Sequence, residues 1–411
     1  MSRIVLAWEL GANFGHLGSL APLARALAAR GHAVEFVLRE LHRGQAVLGA
    51  DGFGMLQAPL WLGRTPPLPP APSYAGVIRR CGYHAPAVLG ALVDAWVALL
   101  DLIEPDLLVL DHAPTAVLAA RCLGVPCVRF GTGWAAPPAE APLPSVAPWT
   151  KPDPRRLWVA ESQVLAAVNA VLKGRDRPPL ARLADLFQLA GDALATFPEL
   201  DHYGARPGVR YWGAVERAVA STPPVWPKAP GPRLFGFVDS RYAAFEPLVA
   251  ALAGLGLPVL LYARDLPEDR AASLSTATLG VVTRPVDFEA AVRAAELVIC
   301  HGGHGAVAGA LRAGRPLLLL PRQSEQMLLA YRVAATGAAV SVALRRSGSA
   351  NHAAALRRML DSPSFAAAAQ GLAARFAAYD RDAGVAGIAD LCEAALGRAA
   401  PALRPAADRA G

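Results

Sequence analysis

Two α/β domains, each built on a parallel sheet, are what this sequence predicts, and three observations carry the expectation. Short apolar runs of strand length alternate with segments of helical period in the first third of the chain and again from Arg233 onward. At 411 residues, with 54% hydrophobic and 18% charged content, the chain is long enough and apolar enough for two packed cores. Between the two series lies Thr222-Pro223-Pro224-Val225-Trp226-Pro227-Lys228-Ala229-Pro230-Gly231-Pro232. So many prolines cannot join a central strand or a helix interior, so the stretch reads as a linker. The expected division is 1–222, a linker at 223–232, a second domain at 233–398 whose last helices can pack back on the first, and a flexible tail at 399–411.

The elements follow in order. Ile4–Trp8 reads as a buried parallel strand and Gly11–Gly18 as a glycine-rich loop. Leu20, Leu23, Ala24 and Leu27 then recur at helical spacing until Gly31 ends the helix, and Val34–Leu38 is the next strand. Val88–Ile103 is helical, Asp106–Leu110 a strand, Thr115–Leu123 a helix and Cys127–Phe130 a strand. In the second series the strands are Leu234–Val238, Val259–Tyr262, Gly280–Thr283, Leu297–Cys300 and Leu317–Leu320. Pro59–Tyr74 is proline-rich and reads as a long surface loop.

Charge and cysteine content narrow the function. The net charge of +7 comes from scattered arginines with no basic run, which argues against a nucleic-acid tail and leaves room for an anionic small molecule. Five cysteines, none in a C-x-x-C pair, fit reduced thiols in a cytoplasmic protein. Neither a signal peptide nor an uncharged apolar stretch of membrane-spanning length is read.

The strongest local signal is Leu297-Val298-Ile299-Cys300-His301-Gly302-Gly303-His304-Gly305. A strand ends, glycines let the backbone approach a ligand, and the first amides of a helix point at an anion. His301 could add a donor to a phosphate oxygen; taken alone, the segment is equally a tight strand-to-helix turn. After the next strand, Pro321-Arg322-Gln323-Ser324-Glu325-Gln326 opens another helix. A carboxylate beside an amide suits sugar hydroxyls, which both donate and accept; a helix start with Glu in its first turn is the plainer alternative.

Together His301, Gly302, Gly303, Gly305, Glu325 and Gln326 resemble the donor-binding signature of family 1 glycosyltransferases, which use UDP- or dTDP-sugars. The resemblance implies the GT-B architecture over most of the chain: two facing Rossmann-like domains with the active site between them. It implies that the histidine and glycine turn hold the diphosphate, and that the acidic residue and glutamine hold the sugar. Phe14-Gly15-His16-Leu17 is similar to the family's Gly-His loop, which makes His16 the expected catalytic base. Imidazole suits that task because it titrates near neutrality. Asp111, at the end of the strand Leu107–Leu110, stands where the family places the partnering aspartate; a helix N-cap is its other reading. By the same resemblance Ser240 contributes to the phosphate cradle and backbone groups of Val286 grip the nucleobase.

Several positions depart from the family pattern. Asp239 replaces the glycine that usually precedes Ser240, Ala306 replaces a phosphate-binding Ser or Thr, and Gly309 replaces a ribose-binding Glu. His304 fills a position that is aromatic in plant members. The expected activity is an inverting, metal-independent transfer of a sugar from a UDP- or dTDP-sugar to a hydroxyl of a hydrophobic small molecule, such as a natural product, or of a lipid. The nucleotide sugar is a co-substrate, with no further cofactor, no metal site and no nucleic-acid partner expected. Asp380-Arg381-Asp382 has the spelling of a metal motif but reads as helix surface. A non-catalytic sugar-nucleotide-binding relative, a sugar-nucleotide epimerase, and a dinucleotide oxidoreductase using Glu40 are the alternatives. The hydrophobic, aromatic loops Pro59–Tyr83 and Gly131–Trp149 favour an apolar acceptor, and a lipid acceptor would imply peripheral membrane contact.

Overall fold

The computed structural model describes residues 1–12, 14–215, 221–344 and 348–397. The Ala/Arg/Pro-rich tail at 399–411 lies outside them. The chain forms two compact units, one from Met1–Thr196, Arg206–Glu216 and Arg381–Gly411, the other from Phe197–Ala205 and Arg217–Asp380.

Six parallel strands make the sheet of the first unit: β1 (Arg3–Trp8), β2 (Ala33–Leu38), β3 (Gly54–Gln57), β4 (Leu107–Asp111), β5 (Cys127–Gly131) and β6 (Gly191–Leu194). Their spatial order is β3-β2-β1-β4-β5-β6. The second unit repeats the plan with β7 (Leu234–Asp239), β8 (Val259–Arg264), β9 (Leu279–Val282), β10 (Leu297–Cys300), β11 (Leu317–Leu319) and β12 (Ala339–Ser341), in the order β12-β11-β10-β7-β8-β9. In each sheet the strand order reverses between the first and fourth strands, β1 beside β4 and β7 beside β10. That reversal opens a crevice beyond the carboxyl ends of those two strands, where ligands bind in open α/β sheets.

Strand β1 shows why the sheets are covered on both faces. Successive side chains of a strand point to opposite sides. Val5 and Ala7 enter one buried cluster, and Ile4, Leu6 and Trp8 enter another. Helix Pro86–Ile103 lines the first cluster with Leu89, Val93, Trp96 and Leu100, one helical stripe. By length and composition this helix could cross a membrane, a property that counting charged residues along the sequence did not flag. In the fold its stripe is buried in the core of the first unit.

Most elements coincide with the sequence reading, with shifts of one or two residues at their ends. The first helix differs more: it starts at Gly15, so His16 stands on its first turn rather than in a loop. Strands β3, β6 and β12 were not anticipated, and all three are edge strands of three or four residues. The proline-dense stretch lies against the second sheet, where Thr222 bridges Val286 and a Cβ added at Gly280 would be 3.5 Å from Pro227.

The last helix, Arg381–Ala395, buries Val385, Ile388, Ala389 and Cys392 in the cluster that holds Ile4, Leu6 and Trp8. It approaches closely because glycine stands at its contact with Trp212: a Cβ at Gly387 would lie 2.1 Å from the indole. Replacing Gly387 with Val should therefore destabilise the first unit by about 1–3 kcal/mol through overpacking, read as a lower apparent Tm in thermal unfolding; an unchanged Tm would contradict this packing.

Candidate active site

In the first unit, parallel register pairs Trp8 with Asp111, so the chain leaving β1 runs directly past the last residue of β4. The helix Gly15–Ala29 then carries His16 over that point. Its Nδ1 lies 2.8 Å from Asp111 Oδ2. A proton on Nδ1 donates to the carboxylate, and the lone pair of the ring is thereby assigned to Nε2. Asp111 is nearly buried and the imidazole is 22% exposed, so the pair is shielded without being sealed.

Three further residues shape this dyad. Trp8 stacks on the imidazole at 5.0 Å between centroids and 22° between planes, and its indole N–H donates to Leu10 O at 2.7 Å. A protonated imidazole over that ring face gains a cation–π attraction. Gly11 has φ +89°, and a Cβ there would sit 2.5 Å from His16 Nε2, so glycine keeps the approach to that nitrogen open. His112 follows Asp111 in the left-handed region at φ 48°, and its carbonyl accepts the Leu10 N–H at 2.9 Å. A non-glycine residue in that region costs of order 1 kcal/mol and concentrates at functional sites. Burial, and then the neighbouring His16, push the His112 imidazole down to about 3, so it stays neutral 6.2 Å from the His16 ring. A neutral neighbour adds little repulsion when His16 takes a proton.

Behind the dyad, Glu9 is buried with its carboxylate on the first turn of helix Pro114–Leu123. Thr115 donates to it through its backbone N–H at 2.9 Å and its hydroxyl at 2.5 Å. These bonds and the helix dipole favour the anion, yet burial dominates and pushes the Glu9 carboxyl up to about 7.

The second unit brings its motif residues to the equivalent crevice. Gly302 adopts φ +84° and Gly303 caps helix His304–Arg312 without a side-chain cap, so the first amides of that helix face outward. A Cβ at Gly302 would be 3.5 Å from Gln326 O, which places helix Ser324–Ala335 against the glycine turn. Gln326 Oε1 accepts the Arg322 N–H at 2.9 Å, and Glu325 Oε2 accepts from Gln323 at 3.2 Å. Gly303 and Gly305 are half-buried beside them, and His304 is buried at the helix start.

His301 requires a correction. Its Nε2 accepts the Asp239 N–H at 3.0 Å and its Nδ1 donates to Leu320 O at 2.8 Å. Both ring nitrogens thus bind backbone, and burial pushes the imidazole down to about 4. In this arrangement His301 ties β7 and the end of β11 to β10 rather than offering a donor to phosphate. The backbone amides after it are the donors.

The departures from the family pattern acquire physical reasons. A Cβ at Gly309 would meet the Phe288 ring at 2.8 Å, so a longer side chain there would displace that ring. Asp239, at the end of β7, accepts from Arg264 at 2.8 Å and from Arg241 at 3.0 Å, and pairs with Arg322 at 2.8 Å. Burial pushes its carboxyl up, but the arginines outweigh this and hold it far below the usual carboxylate range. Ser240 is half-buried and donates its backbone N–H to Arg264 O at 3.0 Å. Val286 borders a hollow of about 360 Å³ lined also by Thr222, Val225, Leu260 and Val282. Thr222 bonds to Pro285 O and Asp287 N, so the amide groups of Val286 itself point away from Thr222.

Sequence reading thus located both members of the dyad and the glycine turn, and missed Trp8, Gly11, His112, Arg264 and Arg322 as site residues. A Trp at a strand end with Gly three residues later was the one available signal for the first pair.

Comparison with known proteins bears on the fold. Residues 268–391 match the family described as Erythromycin biosynthesis protein CIII-like, C-terminal domain. A PGL/p-HBAD biosynthesis glycosyltransferase of Mycobacterium tuberculosis is 27% identical over 295 residues, 68% of each chain. A PGL/p-HBAD biosynthesis rhamnosyltransferase of Mycobacterium bovis is 27% identical over 324 residues, 75% of this chain and 72% of the relative. Among solved structures, glycosyltransferase VinC in complex with dTDP superposes with a TM-score of 0.68 at 18% identity, covering 96% of this chain and 99% of its own. The fold is GT-B.

The Glu9 environment makes a pH-dependent prediction. Its carboxyl is raised from an ordinary 4.5 to about 7 in the folded chain, so the stability it contributes is present below about 4.5 and is lost as pH rises through about 7. Wild-type protein should lose stability of order 3 kcal/mol across that window, whereas Glu9→Gln should be flatter; identical profiles in thermal unfolding from pH 4.5 to 8 would overturn this.

Proposed function

We propose that this glycosyltransferase of the GT-B, bacterial family 1 type moves a sugar from a UDP- or dTDP-sugar to an acceptor hydroxyl by a metal-independent, inverting displacement. The His16–Asp111 hydrogen bond carries the reading. A pure binding module has no use for an imidazole whose basic nitrogen is set by a buried carboxylate and kept accessible by a glycine.

In the reaction, Nε2 of His16 takes the proton from the acceptor hydroxyl as its oxygen attacks the anomeric carbon. The bond to the leaving diphosphate breaks on the opposite face, which inverts that centre. Asp111 stabilises the imidazolium that forms, and Trp8 supports it from one face. Charge growing on the diphosphate meets the amides at the start of helix His304–Arg312, an electrostatic stabilisation already in place before reaction. Glu325 and Gln326 contact the sugar hydroxyls, and the amide groups of Val286 contact the base.

Aromatic residues favour a hydrophobic acceptor. Tyr74 lies 5.8 Å from His112, 6.4 Å from Trp134 and 5.7 Å from Phe187, a buried cluster of rings beside the dyad. The hydrophobic, aromatic loops Pro59–Tyr83 and Gly131–Trp149 suit a polyketide-like, phenolic or lipid aglycone. The five unpaired thiols and a sugar-nucleotide substrate fit a cytoplasmic setting.

Incubation with UDP- and dTDP-hexoses and a panel of hydroxylated hydrophobic acceptors should yield glycoside of inverted anomeric configuration by NMR. His16→Ala should abolish transfer while leaving nucleotide affinity unchanged, and Asp111→Asn should lower kcat by about 10²-fold or more. An active His16→Ala enzyme would sink the assignment. Gly11→Ala, whose Cβ would press on Nε2, should lower kcat with little change in donor KM; equal effects on both parameters would show that the glycine serves the fold instead.

A further inference from the structure

Asp239 stands where the family resemblance expects glycine, and the resemblance expects a hydroxyl where Ala306 stands. The first departure sits in a cluster of charges. Asp239 is 3% exposed and collects the guanidiniums of Arg241, Arg264 and Arg322. Asp265 pairs with Arg241 at 2.9 Å and lies 3.8 Å from Arg264. Three guanidiniums therefore face two carboxylates, which leaves one positive charge in excess. A lone carboxylate at the end of β7 would repel a diphosphate; this one is more than neutralised by the guanidiniums that surround it.

Arg322 is the member built into the ligand-facing turn. Its backbone N–H is held by Gln326 Oε1, and Gln326 packs against Gly302. Its guanidinium is held at 2.8 Å by Asp239, whose own N–H is bound by His301. It is also 33% exposed, whereas the carboxylate that holds it is buried. Arg241 is 67% exposed and shared with Asp265, and Arg264 is 23% exposed at the end of β8. A guanidinium fixed at one edge and open at the other binds phosphate oxygens with little ordering cost.

We propose that Arg322, anchored by Asp239, is the side-chain cation that grips the diphosphate of the donor and takes the place of the hydroxyl missing at Ala306. This rests on the reading of the second unit as the donor site. Asp239 is then a positioning residue, which accounts for an acidic side chain beside an anion-binding turn.

The test is calorimetric affinity for UDP, dTDP, the matching nucleosides and inorganic pyrophosphate. It uses full-length wild type, Arg322→Ala and Arg322→Lys. Arg322→Ala should weaken the two diphosphates and pyrophosphate about 10- to 100-fold, the loss of one charge-assisted contact, while nucleoside affinity stays within about 2-fold. Arg322→Lys should recover part of the loss, because it restores the charge without the fork. Two results would overturn the inference alone: unchanged diphosphate affinity in Arg322→Ala, or an equal loss for nucleoside and diphosphate, which would mark a fold effect. Wild type that binds neither diphosphate would overturn the donor reading itself and the inference with it.

Discussion

A hydrogen bond of 2.8 Å between His16 Nδ1 and Asp111 Oδ2 is the contact on which the chemistry of the first unit depends, and it exists because of strand order. The two residues are 95 positions apart. They meet because β1 and β4 are neighbours in a parallel sheet, because both strands end at the same edge, and because connections leave that edge in opposite directions. Any slip of one residue along β4 would turn the Asp111 side chain to the other face.

The second unit applies the same rule to a different task. Its reversal between β7 and β10 joins Asp239 to His301, and the resulting network is tied to backbone rather than to solvent. Glycines at 302 and 303 then turn the chain into a helix whose first amides face outward. Beside this turn the buried carboxylate of Asp239 is held by arginines. The positive ends of a helix and of an arginine cluster act in the same direction, and both suit a leaving diphosphate.

Legibility varied with how local each feature is. Central strands such as Leu297–Cys300 are continuous apolar runs because both faces are covered, so they stand out in sequence. The strands β3, β6 and β12 are short, pair on one side only and carry polar or small residues, as in Gly54-Met55-Leu56-Gln57, so no run marks them. The start of the first helix was masked by glycine at 15 and 18, residues that favour loops locally. The role of His301 was misjudged for a related reason. Its motif marks a strand end, but whether its ring points to ligand or backbone depends on Leu320 and Asp239, neither of them adjacent in sequence.

By itself, then, the sequence determined the two α/β series and the glycine turn at 302–305, which are set by apolar period and residue type, while its resemblance to family 1 glycosyltransferases pointed to His16 and Asp111. Only the tertiary structure decided which partners complete them. Trp8 under the imidazole, Gly11 beside its Nε2, neutral His112 behind it and three arginines on Asp239 are contacts that only the folded chain makes. Spacing along a chain reports which face or edge a residue occupies. Which side chains then share that edge is decided by the order of strands in the sheet, and strand order is a property of the folded chain.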